Sequence, residues 1–343
     1  MRNFLKPAAG LACLVALACA GCSSDGTGPS GDAGSPTPSG AGASPSTTAA
    51  PSTSYAPYVS ATAASANDSA GSPSAYNLAF VISDGSDCTP KWDGSQAIDD
   101  PTVKSRISAL TSSGSSVRVS FGGASGAELA AVCANASALA AAYADALDAA
   151  GATQADFDIE GDDLGDSDAV EMRSKAIALL QKERSDLTVS FTLPVMPSGL
   201  DEGSLALLQS ANDNGVQVAT VNIMTMNYGG TYTGDMGDYA IASAQAAHDQ
   251  LQDVFGLSAD DAWRGLAVTS MIGDNDIAGE TFTLSDAARV RSFAEDKGIA
   301  WVSMWSAFRD RQCEDGDTSS DDAATNCSGV SQSAGAFAEA FSG

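Results

Sequence analysis

One histidine, His248, is all that the 343 residues contain, and beyond the first 22 residues no two cysteines stand in a C-x-x-C spacing. A histidine zinc site or a Ser-His-Asp triad needs more than that, and the setting Ala-Gln-Ala-Ala-His-Asp is a helical pattern that predicts a surface position for His248. Basic residues are scarce too: 16 Lys+Arg stand against 43 Asp+Glu, a formal net charge of −27. Nucleic acid and anionic membrane surfaces are therefore excluded as partners, because both would be repelled. A neutral polymer or a small molecule fits this charge. The apolar run 8–20 is too short to span a bilayer.

What that run does fit is an export signal, since Arg2 and Lys6 precede it. It ends in Cys19-Ala20-Gly21-Cys22, which resembles a bacterial lipoprotein processing site, with Cys19 in place of the usual aliphatic residue. The expectation is an exported protein, held at the cell envelope by a lipid on Cys22 or released. Residues 23–54 are almost entirely Ser, Gly, Thr, Pro and Ala, too poor in apolar surface to offset the entropy of ordering, and predict a flexible tether between the 1–22 leader and a 55–343 domain. Beyond the leader, Cys88, Cys133, Cys313 and Cys327 remain. An even number in an exported chain predicts two disulfides with three possible connectivities, of which pairing by proximity, Cys88 with Cys133 and Cys313 with Cys327, is the simplest.

Short apolar runs at 55–61, 76–82, 117–123, 155–161, 188–196, 218–228, 265–272 and 300–308 alternate with helical patterns at 101–111, 128–150, 168–183, 204–212, 239–255 and 285–297. Repeated strand–helix alternation predicts an α/β chain folded as a TIM (β/α)8 barrel rather than a doubly wound sheet. The fourth run is the odd one. Asp156-Phe157-Asp158-Ile159-Glu160 places three acids at alternate positions. On a strand they share one face about 7 Å apart, while Phe157 and Ile159 pack on the other. Clustering and partial burial raise at least one of the three pKa values, which suits a general acid. A solvated acidic edge strand is the plainer alternative.

With the strands placed, the chain resembles glycoside hydrolase family 18, the chitinases and related endo-N-acetylglucosaminidases, over most of residues 55–310. Ser120-Phe121-Gly122-Gly123 is similar to the family's S-x-G-G at the third strand, and Asp156, Asp158 and Glu160 to the last three acids of D-x-x-D-x-D-x-E on the fourth. Met226-Asn227-Tyr228 is similar to the M-x-Y of the sixth, and Trp305 stands where the eighth closes with tryptophan. Thr153 replaces the first acid of the motif, and Gly229 stands where Asp or Asn commonly follows the tyrosine. A two-residue slide of register would put Asn227 at that polar position, at the cost of Met226 in place of the tyrosine.

The resemblance implies a retaining, substrate-assisted glycosidase acting on β-1,4-linked N-acetylglucosamine, with chitin or another such glycan as partner and no cofactor or metal. It implies Glu160 as general acid/base, Asp158 as partner of the substrate acetamide, Asp156 as a group sharing a proton with Asp158, and the Tyr228 hydroxyl as donor to the acetamide oxygen. Trp305 would floor the sugar subsite, with Gly122, Gly123, Met226 and Asn227 around it. The alternatives are an endo-β-N-acetylglucosaminidase on N-glycans and a non-catalytic glycan-binding lipoprotein. The 273–276 turn with Glu280 is read equally as a sugar-binding rim and as a plain polar turn. Asp315, Asp317, Asp321 and Asp322 lack the spacing of a calcium loop.

Overall fold

In a computed structural model, residues 53–314 and 327–343 are described. The leader, Cys22, nearly all of the tether and the acids at 315–322 lie outside the described residues.

Eight parallel strands close on themselves. Strand β1 is in two pieces, Ser54–Tyr55 and Tyr58–Ser60, followed by β2 (Ala75–Ile82), β3 (Ser116–Gly122), β4 (Gln154–Asp158), β5 (Thr188–Pro194), β6 (Val218–Met224), β7 (Leu266–Met271) and β8 (Trp301–Trp305). Each pairs with the next in sequence, and β1 closes the ring by pairing Tyr55 with Val302 on β8 and Val59 with Leu78 on β2. This is the TIM barrel expected from the alternation. All six residues of β7 are buried, as strands covered on both sides require.

The helices lie outside the ring: α1 (Pro101–Thr111), α2 (Ala136–Ala150), α3 (Ser167–Glu183), α4 (Glu202–Asp213), α5 (Met236–Phe255), α6 (Leu284–Lys297) and the C-terminal α7 (Ala336–Ser342). Their starts are written in short polar side chains. Asp100 accepts from the Thr102 and Val103 amides with Pro101 as first helical residue, and Thr283 and Asp286 form a reciprocal capping box.

Two expected elements are corrected. The uniform Ala-rich stretch 128–150 is not one helix: a single turn, Leu129–Val132, stops at Cys133, and α2 restarts after Asn135, whose side chain accepts from the amides of Ser137 and Ala138. Cys133 is held away from helical geometry where it joins Cys88, and Cys313 joins Cys327, so the proximity pairing is the one present. Strand β6 ends at Met224 rather than running to 228, which places 225–229 in the loop above the barrel. His248 is also not a surface residue. It is 7% exposed, stacked on Trp263 at 4.0 Å between centroids, with one ring nitrogen 3.0 Å from the Ala259 carbonyl oxygen.

Candidate active site

Strand β4 divides its side chains cleanly. Outward, Phe157 packs on Phe121 of β3 and Phe191 of β5 at 5.3 and 5.7 Å and edge-on to Tyr143 of α2 at 5.0 Å. Inward, Asp156 stands in register between Ser120 of β3 and Ser190 of β5. Four hydroxyls serve its carboxylate: Tyr58 at 2.9 Å and Ser120 at 2.7 Å donate to one oxygen, Ser190 at 2.7 Å and Thr192 at 2.9 Å to the other. The expected proton sharing between Asp156 and Asp158 is not the arrangement seen, because Asp156 is engaged by these hydroxyls and Asp158 by Glu160. Asp156 acts on Asp158 through its charge.

Asp158, 4% exposed, is hydrogen-bonded to Glu160, which is half-buried just past the end of the strand. Burial first, then the charges of Glu160 and Asp156, push Asp158 well above the ordinary carboxyl range. Burial also pushes Glu160 up; the bond from Asp158 pulls it back, and the charge of Asp276 adds to the rise. The two acids thus form a hydrogen-bonded pair in which burial favours the protonated form of each. Asp158 Oδ1 is buried with no hydrogen-bond partner, an acceptor that a ligand N–H would satisfy.

The glycines of the third strand permit this closeness. Gly122 has φ of +99°, and a Cβ on it would sit 2.1 Å from the Asp158 carbonyl oxygen; the Gly123 amide donates to that same oxygen at 2.9 Å. A Cβ on Gly123 would run into the Phe80 ring at 2.8 Å. They shape the site by letting the backbone approach, not by presenting groups to a ligand.

Trp305, at the end of β8, is half-exposed, stacked on Phe80 at 5.6 Å, and edge-on to Tyr58 at 5.8 Å and to Phe308 at 5.6 Å. With Phe80, Phe308, Asp93 and Arg311 it lines a cavity of about 840 Å³. A smaller cavity of about 200 Å³ is lined by Glu160, Met196, Asp201, Met224, Met226 and Asn227.

Tyr228 is not among those residues. It is 4% exposed, accepts a hydrogen bond from Ser243 of α5 at 3.3 Å, and packs on Tyr232 and Tyr239, where burial pushes its phenol up. The Tyr228 hydroxyl is thus held by Ser243, while Met226 and Asn227 stand at the wall of the smaller cavity. Thr153 is exposed at the start of β4, at the opposite end of the barrel from Glu160, so its departure from the motif leaves the acid cluster untouched. Of the loop after β7, Glu280 is 1% exposed and accepts from the Tyr228 and Gly229 amides at 3.0 and 2.7 Å, while Asn275 donates to the Met271 and Gly273 carbonyls. These are turn-holding roles, the plainer of the two readings.

Tyr58, Phe80, Ser190 and Thr192 join the site without a signal in the linear motif. Among the described residues, no three His, Cys, Asp or Glu side chains are grouped to hold a metal ion, and no helix is long and apolar enough to cross a membrane.

No family model matches the chain. Over 277 residues it is 35% identical to a protein of Escherichia coli (strain K12) named "Probable bifunctional chitinase/lysozyme", covering 75% of this chain and 31% of that one. It is 33% identical over 276 residues to "Endochitinase 11" of Metarhizium anisopliae, covering 75% and 52%. The chain thus spans about a third to a half of the length of these relatives. Among solved structures, active domain 2 of a thermostable chitinase from Pyrococcus furiosus, in complex with chito-oligosaccharides, superposes with a TM-score of 0.74 at 29% identity, over 85% of this chain and 94% of that one. In barrel, sequence and backbone course the chain is thus similar to chitinases.

Proposed function

We propose that the protein hydrolyses β-1,4-linked N-acetylglucosamine glycans of the chitin type, with retention, by substrate assistance. The observation that carries this reading is the Asp158–Glu160 pair, a buried acid hydrogen-bonded to a half-buried one, with Asp158 Oδ1 left without a partner. An ordinary retaining enzyme uses one carboxylate as nucleophile; here the acetamido oxygen of the substrate takes that part.

When a sugar enters, Asp158 turns to the acetamide N–H and accepts it, which requires the Asp158 proton to pass to Glu160. Glu160 then donates it to the glycosidic oxygen as the bond to the anomeric carbon breaks and the acetamide oxygen closes on that carbon. The oxazolinium carries a positive charge beside the Asp158 carboxylate, which stabilises it. Water attacks from the vacated side, giving its proton to Glu160 and reopening the ring. Two displacements at one carbon leave its configuration unchanged. The face of Trp305 floors the sugar, as an aromatic ring complements the C–H face of a pyranose.

The leader with Cys22 supports an exported, lipid-anchored protein, and two disulfides suit an oxidising compartment. Chito-oligosaccharide cleavage by the wild-type protein and by Glu160→Gln tests the proposal: cleavage in the first and binding without cleavage in the second is expected. Cleavage of a glycoprotein core with chitin oligomers untouched would move the substrate to N-glycans. Binding with no product at any pH would leave a glycan-binding protein.

A further inference from the structure

A third carboxylate lies in the electrostatic reach of Glu160 and comes from another part of the barrel. Asn227, in the loop after β6, has φ of +55°, a conformation that residues other than glycine seldom adopt. Its amide is spent on the loop after β7: Nδ2 donates to Asp276 Oδ2 at 2.9 Å, and Oδ1 accepts from the Asp276 amide at 3.0 Å. Beneath this pair, the buried Glu280 carboxylate receives the Tyr228 and Gly229 amides. Both loops are thereby tied at two levels, and Asp276 is fixed at the exposed edge of the rim beside Asn227, which lines the same cavity as Glu160.

We propose that Asp276, held by Asn227, is an electrostatic positioning residue for the proton donor: its negative charge retains the proton on Glu160 until the glycosidic oxygen takes it. The proposal rests on Glu160 serving as that donor. Asp276 is the group outside β4 whose charge raises Glu160. The other charged groups are accounted for. Asp158 is bonded to Glu160, Asp156 acts on Asp158, and Asp201 caps α4 at the cavity wall. The guanidinium of Arg309 feels the charge of Asp276 while donating to the Ile272 and Asp274 carbonyls. An asparagine at 276 keeps an oxygen for Asn227 and discards only the charge.

Two measurements test this: the pH dependence of kcat/KM on a chito-oligosaccharide, and the ¹³C titration of the Glu160 carboxyl by NMR, assigned through its loss in Glu160→Gln. For Asp276→Asn, the alkaline limb and the ¹³C midpoint both fall by about half a pH unit or more, and the shift shrinks in about 1 M salt. Asp276→Glu restores most of it, and Asn227→Ala gives a smaller fall in the same direction. A limb and a midpoint in Asp276→Asn that coincide with wild type would overturn the proposal. If the wild-type protein cleaves nothing, the functional reading fails by itself, and the ¹³C midpoint still decides whether Asp276 governs the Glu160 proton.

Discussion

Phe157 and Asp158 are neighbours on β4 and face opposite sides of it, one into rings from β3, β5 and α2, the other into a polar interior where acid meets acid. The outer face makes contacts that stabilise the fold and touch no ligand. The inner face works against folding. Ionised acids there lose water and repel one another, and the four hydroxyls around Asp156 partly compensate. Stability and chemistry in this barrel are thus separated by a single residue step, and mutations one position apart should fail in different ways.

The largest expected effect is on the inner face. Glu160→Gln lowers kcat/KM on chito-oligosaccharides by about 10³-fold or more, read from initial rates, while the far-ultraviolet circular dichroism spectrum is unchanged. Asp158→Asn follows at about 10²-fold, because the amide holds the acetamide less well and stabilises the oxazolinium charge less. On the outer face, Phe157→Ala costs about 3–5 kcal/mol of stability in denaturant unfolding, with kcat per folded molecule little altered.

The opposition also has a pH signature. Asp158 and Glu160 are both raised by burial, so the folded state holds protons more tightly than the unfolded chain. Their contribution to stability is fully present below the ordinary carboxyl pKa and is lost as pH rises through the raised values. Glu160→Gln should therefore raise Tm relative to wild type at neutral pH and lose that advantage near pH 4, in paired thermal scans. An equal Tm difference at both pH values would break the link between the raised carboxyls and the cost of the inner face. The smallest effect is Ser190→Ala, which leaves Asp156 three hydroxyl partners and costs about 1–2 kcal/mol.

What the linear sequence disclosed follows the same division. The alternation of acids with Phe157 and Ile159 is local, so the strand and its faces were legible in five residues. The hydroxyl cage was not, because Tyr58, Ser190 and Thr192 reach Asp156 only when three separate strands pair. The surroundings of Tyr228 were not legible either, because Ser243 reaches its hydroxyl only once α5 packs beside the loop that follows Met224. The break before α2 was hidden by Ala-rich propensity, although Asn135, a good helix cap, marked it. Asp276 was visible as part of a polar turn, but its proximity to Glu160 depends on the pairing with Asn227 across two loops.

The measurement that bears most directly on the Asp158–Glu160 pair as a substrate-assisted catalyst is the anomeric form of the first product, followed by ¹H NMR before mutarotation. Cleavage of a chito-oligosaccharide should release the new reducing end as the β-anomer. Release of the α-anomer would mean direct displacement by water and would contradict the account.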